Sequence, residues 1–174
     1  MSSTKKLTLS AVTVALGAVV MTVGAFFEVL DLTACCFASL LVMFVYMEIG
    51  SPYTWLVWIC TSLAVFLIAP AKFVWAEYLF IFGIYPILKA YIERLPRKLW
   101  ILMKAVFFAL VVGGAILVCD ILLGVPFFEV EATWLKVGAI ALIAVAAAAY
   151  DMFLTVMIRF YIFKLRPRIK NLLK

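Results

Sequence analysis

Residues 7–27 read LTLSAVTVALGAVVMTVGAFF and carry no charged side chain. An α-helix needs about 20 apolar residues to cross the hydrocarbon core of a bilayer, so this stretch is long enough to span one. Lys5 and Lys6 precede it, as basic residues precede the core of a signal peptide, but that core has only roughly 7–15 residues. The sequence therefore predicts an uncleaved first membrane helix.

Five further apolar stretches follow, separated by short turns that contain charged residues, glycine or proline. The predicted spans are residues 7–27, 32–49, 53–69, 73–92, 99–123 and 133–163, followed by a basic tail at 164–174. The sequence predicts an all-α, polytopic membrane protein, a bundle of about six transmembrane helices that forms a single transmembrane domain over residues 1–174.

The composition supports a membrane location. Of the 174 residues, 69% are apolar and 14% are charged, whereas a soluble domain is about half apolar and about one quarter charged. A chain of this size cannot bury so much apolar surface in its own core, because small domains leave much of their area exposed. The apolar surface that the core cannot bury is therefore expected to contact membrane lipid.

The composition also argues against several kinds of active site. The chain has no histidine, which excludes Ser-His-Asp and Cys-His catalytic groups. Its cysteines, Cys35, Cys36, Cys60 and Cys119, lie in apolar stretches without a C-x-x-C pair, so they do not indicate a zinc or haem site. We expect no catalytic residues, no metal and no cofactor, and the protein is not predicted to be an enzyme.

The positions of the basic residues predict the orientation of the chain. When both termini are cytoplasmic, only Lys72 and Lys136 of the 15 lysines and arginines lie outside. The outer side then holds most of the acidic residues: Glu28, Asp31, Glu77, Asp120, Glu129 and Glu131. A basic inner surface suits anionic lipid, so the net charge of +6 requires no nucleic-acid partner. The predicted location is the cell (inner) membrane.

Span one carries a stripe of small residues. Ala11, Ala15 and Ala18 recur at spacings of four and three, and Thr22 and Ala25 continue the stripe. Small residues let two helices approach closely in lipid. The stripe indicates either packing within the bundle or a partner interface with a separate membrane subunit.

Charged residues within membrane spans are costly and are functional candidates. Those near the outer surface, with one aromatic neighbour, are predicted to bind a small solute: Lys72, Trp75, Glu77 and Asp120. The alternative is that Asp120 pairs with Lys72. Those near the inner surface form a predicted charge network that holds spans two, four, five and six together: Glu48, Lys89, Lys104, Asp151 and Arg159. Gly83 and Pro86 lie within span four and predict an interrupted helix there, a feature of transporter binding sites.

The size, the basic start Lys5-Lys6 and the Ala11-x-x-x-Ala15 pattern resemble the S components of energy-coupling factor (ECF) transporters. These are small six-helix bacterial membrane proteins that bind a solute for transport. The resemblance implies that Ala11 and Ala15 contact a transmembrane T component, which assembles with ATP-binding subunits. The chain departs from that family in its very short first outer loop, residues 28–31. The alternative function is a non-transporting scaffold of an envelope complex, similar to small cell-shape membrane proteins such as MreD.

Overall fold

The computed structural model describes residues 2–69, 72–117 and 133–169. Within these ranges the regular secondary structure is entirely helical, which confirms the predicted all-α fold. The elements are α1 Ser3–Phe26, a 3₁₀ turn Glu28–Leu30, α2 Asp31–Glu48, α3 Ser51–Ile68, α4 Lys72–Glu77, a π-helical turn Tyr78–Phe82, α5 Tyr85–Ile92, α6 Arg97–Leu117, α7 Thr133–Phe160, a second π-helical turn Tyr161–Leu165, and α8 Arg166–Ile169.

These helices correspond to the six predicted spans. Four described helical stretches are long and apolar enough to cross a membrane: Ser3–Phe26, Asp31–Glu48, Ser51–Ile68 and Ile140–Leu165. The predicted fifth span contains the shorter apolar stretch Leu99–Gly114. Large apolar side chains along the helices are exposed, among them Leu67 at 78% and Leu142 at 71%. Such exposure is costly in water and favourable in lipid, which supports a membrane location.

The predicted interruption of span four is present. The Gly83 N–H donates to the Tyr78 carbonyl oxygen at 2.7 Å, five residues back, and so closes the π-helical turn. A Cβ at Gly83 would lie 2.5 Å from Cδ1 of Trp58, so only glycine lets α3 approach this closely. Pro86 is the second residue of α5, where its missing N–H removes no helical hydrogen bond.

The turn between α2 and α3 depends on Gly50. Its φ of 103° lies in the left-handed region that glycine adopts without a steric penalty. The Thr54 hydroxyl donates to the Gly50 carbonyl oxygen at 2.9 Å, and Pro52 occupies the first turn of α3. Proline is favoured in that position because the first N–H groups of a helix have no intrahelical partner.

The chain divides into two compact units. Unit 1 comprises the described residues of 1–91 and 158–169, and unit 2 those of 92–157. The single domain over residues 1–174 stays a prediction. In unit 1, α1 packs against α2 and α3, while α2 packs against α3, α4 and the first π-helical turn. Gly24 lies directly against Ala34, and this absence of side-chain bulk brings α1 and α2 together.

Candidate functional site

The candidate site lies where α2 and α4 begin, called here the Asp31 end of unit 1. The Cys35 thiol donates to the Val74 carbonyl oxygen at 3.7 Å, and both residues are fully buried. Asp31 precedes Cys35 by four residues, and Glu77 follows Val74 by three. Residues at these spacings share a helical face. The contact between Cys35 and Val74 therefore turns the faces that carry Asp31 and Glu77 toward each other.

Both carboxylates have an oxygen without a partner. Asp31 Oδ1 and Glu77 Oε2 are buried and accept no hydrogen bond within the part of the chain that the structure describes. Asp31 on α2 and Glu77 on α4 carry like charges on two helices that pack together, so each disfavours the charge of the other. A buried polar atom without a hydrogen bond costs free energy, and a charged one costs more. This pair therefore lacks a compensating positive group among the described side chains.

The Tyr78 hydroxyl borders the same group. Tyr78 is 0% exposed, and its hydroxyl lies beside Cys35 and Thr61 without meeting hydrogen-bond geometry to any described residue. A buried tyrosine hydroxyl usually has a partner. Asp31, Glu77 and Tyr78, which we call the Asp31 cluster, thus present two acceptors and one hydroxyl around Cys35.

A second pair of buried polar groups lies on α3. Trp58 Nε1 and Ser62 Oγ have no hydrogen-bond partner among the described residues. Other buried hydroxyls in unit 1 bond back to their own helix, as Thr13 does to the Leu9 carbonyl oxygen at 2.7 Å. Trp58 contacts Gly83, so Ser62, one turn away on the same face, also points toward the helix that contains the first π-helical turn.

Only part of the predicted outer site is brought together. Trp75 packs on Phe66 of α3, with ring centroids 4.9 Å apart. Glu77 is two positions further along α4 and therefore faces the opposite side of the helix. The side chain of Lys72 and the whole of Asp120 lie outside the described residues. Of the predicted solute-binding residues, Glu77 alone belongs to the Asp31 cluster.

The predicted solute-binding residues do not include Asp31 or Tyr78. Asp31 lies in the predicted first outer loop, but in the structure it is the first residue of α2. Tyr78 lies beside the predicted outer charges, where the sequence allows it either to stack on a flat ligand or to anchor at the interface. The four-residue spacing of Asp31 and Cys35 was visible in the sequence. The pairing of α2 with α4 was not, because no short motif specifies which membrane helices pack together.

The residues of the predicted inner charge network are divided between unit 1 and unit 2. In unit 1, Glu48 accepts a hydrogen bond from the Tyr161 hydroxyl at 2.9 Å and pairs with Nε of Arg166 at 3.1 Å. Lys89 is buried and Arg159 is exposed in the same unit. Tyr161 and Arg166 were not predicted to take part, since they lie at or beyond the end of span six.

The second group lies in unit 2. The Lys104 ammonium donates to Asp151 Oδ1 at 2.8 Å and to Glu93 Oε1 at 3.0 Å. It also lies 4.8 Å from the ring centroid of Trp100, within the range of a cation–π interaction. Two carboxylates and one ammonium so placed satisfy one another, which suits a structural role better than ligand binding. Glu93 was assigned to a basic loop and was missed.

The small residues of the α1 stripe differ in how far they are buried. Ala11 and Ala15 are exposed, whereas Ala18 is only 7% exposed and packs inside unit 1. The predicted partner interface therefore loses Ala18, because α2 and α3 already cover that part of the helix. The part of the stripe open to another protein is the one that holds Ala11 and Ala15.

An apolar groove of about 400 Å³ runs between α1 and α2. Its lining is almost entirely apolar and consists of Val19, Val20, Val23, Gly24, Leu30, Thr33, Ala34 and Phe37. The groove offers a polar solute almost no hydrogen bonds, so it is the weaker candidate for solute binding.

The Asp31 cluster is suited to hold a positively charged group. Within the described ranges, histidine, cysteine, aspartate and glutamate form no group of three or more that could hold a metal ion. Comparison of the chain with protein-family models, with curated proteins and with solved structures finds no match.

Proposed function

We propose that this protein is a membrane-embedded subunit that binds a small solute for uptake, similar to the S component of an ECF transporter. The observation that carries the proposal is the pair of buried, unpartnered carboxylate oxygens of Asp31 and Glu77. Charges inside a membrane protein are costly and mark substrate or ion pathways. A bound solute would supply the missing partner and offset that cost.

In this proposal the chain spans the inner membrane of the cell. The Asp31 end faces outward, and both termini lie in the cytoplasm. The support is the distribution of lysine and arginine, which concentrates at the opposite end and in the tail. The solute then reaches the Asp31 cluster from outside. The interruption of the helix at the first π-helical turn, directly after Glu77, is typical of transporter binding sites.

The partner in this proposal is a transmembrane T component that carries ATP-binding subunits. The exposed residues Ala11 and Ala15 offer a flat surface on which another helix can approach closely. Purification from native membranes separates this function from the alternative. Copurified ATP-binding subunits favour the solute-binding subunit, while copurified cell-shape or envelope proteins favour the scaffold.

Thermal stabilisation of the purified protein by solutes tests the proposal. We expect at least one member of a panel of anionic, neutral and cationic nutrients to raise the unfolding temperature with a saturable concentration dependence. Glu77→Gln should weaken the apparent affinity measured by that shift, and Glu48→Gln is the matched control, because Glu48 is already partnered by Tyr161 and Arg166. A panel without any saturable shift would instead support the scaffold.

A further inference from the structure

We infer that the Asp31 cluster binds the positively charged group of a small organic ammonium ion. This inference rests on the proposed function and adds the chemical class of the solute. Asp31 and Glu77 would accept hydrogen bonds from the ammonium group, and the Tyr78 hydroxyl would complete the site.

The first argument is charge. Asp31 and Glu77 each have a buried oxygen without a hydrogen bond among the described residues, and none of the described lysine or arginine side chains pairs with them. A cation between the carboxylates removes the repulsion and satisfies both buried oxygens, whereas an anion would increase the repulsion.

The second argument is the Tyr78 hydroxyl. Tyr78 is 0% exposed, and its hydroxyl, beside Thr61, meets hydrogen-bond geometry to none of the residues that the structure describes. A phenolic hydroxyl both donates and accepts. It can therefore accept from an ammonium N–H, or donate to a hydroxyl elsewhere on the same solute. A structural pair of acids would not require this third group.

The third argument separates an organic cation from a metal ion. A calcium ion takes six to eight oxygen ligands and a magnesium ion six in octahedral geometry. The described residues offer no group of three or more metal-binding side chains. An ammonium group has at most three N–H donors, which matches two carboxylates and one hydroxyl.

The test uses the full-length protein in detergent at constant ionic strength. The probes are two series with matched carbon skeletons: butylammonium, butanol and butyrate; phenethylammonium, phenethyl alcohol and phenylpropionate. We expect a saturable rise in unfolding temperature with an ammonium member and none with its neutral or anionic counterpart. Asp31→Asn and Glu77→Gln should each weaken the apparent affinity about tenfold or more, since each removes a hydrogen bond to a charged group. Tyr78→Phe should weaken it less, and Glu48→Gln should leave it unchanged.

The outcomes separate this inference from the proposed function. A saturable shift with a neutral or anionic solute, and none with any ammonium, overturns the ammonium inference and leaves the solute-binding function standing. A shift with ammonium that survives both Asp31→Asn and Glu77→Gln overturns the assignment to this cluster. If calcium or magnesium chloride gives the carboxylate-dependent shift instead, the site binds a metal ion and the inference is wrong. No shift with any solute overturns both proposals.

Discussion

The two ends of α2 each carry an acid, and their surroundings are opposite. Glu48 closes the helix at one end and is held by the Tyr161 hydroxyl and Arg166. Asp31 opens the helix at the other end, where one of its oxygens is buried without a partner beside a second acid, Glu77. The helix dipole favours an anion at the first turn and disfavours one at the last. Glu48 therefore needs a nearby positive charge more than Asp31 does. The dipole of α2 stabilises Asp31 but does not compensate the charge of Glu77, which lies on another helix.

The difference teaches how to separate structural from functional charges in this chain. The Glu48 end is tied by further polar contacts, including a hydrogen bond between Ser51 and Tyr91 and the Lys6 ammonium 5.9 Å from the ring centroid of Tyr53. At the Asp31 end, buried polar atoms remain without partners. In the proposed function, paired charges hold helices in place, and the unpaired carboxylates at the Asp31 end bind the ligand. Three substitutions test this contrast.

The largest change in the free energy of unfolding is expected in unit 2, where Lys104 pairs with acidic side chains as Arg166 pairs with Glu48 in unit 1. Lys104→Met leaves Glu93 and Asp151 without their shared cation. Breaking a buried ion pair costs about 3–5 kcal/mol and an exposed pair about 0–1 kcal/mol. The side chains of Lys104 and Asp151 are 14% and 25% exposed, so we expect a loss of about 2 kcal/mol in the free energy of unfolding. Denaturant titration in mixed micelles measures it. Lys104→Arg keeps the charge and is the control, and equal stability of all three proteins would contradict a structural role.

A smaller effect is expected at Glu48. Glu48→Gln keeps the size of the side chain and removes its ion pair with Arg166, while an amide oxygen still accepts from Tyr161. Because the Arg166 side chain is 49% exposed, the pair itself contributes little, and the loss should be about 1 kcal/mol. Arg166→Gln alone should change the free energy of unfolding by less than about 0.5 kcal/mol. A larger loss in Arg166→Gln than in Glu48→Gln would show that Arg166 acts through another partner.

The smallest effect is expected at Asp31. Without solute, Asp31→Asn loses an interaction with the helix dipole of about 0.3–1 kcal/mol and gains relief from repulsion by Glu77. The two contributions oppose each other, so the unfolding free energy should stay within about 0.5 kcal/mol of the parent. The same titration measures it. If the variant lost as much stability as Lys104→Met, Asp31 would have a structural partner and the contrast between the two ends of α2 would fail.

Much of the fold follows from the sequence. The length of uncharged stretches such as 7–27 predicts membrane helices, and Gly50, Pro52, Gly83 and Pro86 predict where helices end or break. These are local properties of a chain in lipid, where the backbone must satisfy its own hydrogen bonds within each span. For the same reason, the predicted spans and the observed helices differ mainly at their ends.

The site was less predictable because it depends on which helices are neighbours. Trp75 and Glu77 are close in sequence but lie on opposite sides of α4, and Asp31 and Glu77 lie on facing helices only because α2 packs against α4. Lipid-facing and partner-facing small residues also look alike in sequence, so Ala18 shares the predicted stripe with Ala11 and Ala15 although α2 and α3 bury it. Burial and pairing of helices are properties of the packed molecule, and no motif in this chain encodes them.

The π-helical turn Tyr78–Phe82 makes the fourth helix tolerant of a change in length. A π-helical turn is in effect an α-helical turn with one inserted residue, since its hydrogen bonds reach one position further. Deleting a residue there converts the turn to ordinary α-helix and leaves the flanking segments α4 and α5 in their original rotational phase. Helix α2 contains no π-helical turn. A deletion in the middle of α2 therefore rotates every later side chain by about 100° around the helix axis. We therefore expect natural variants of this protein that are one residue shorter within a span to lack that residue in this turn.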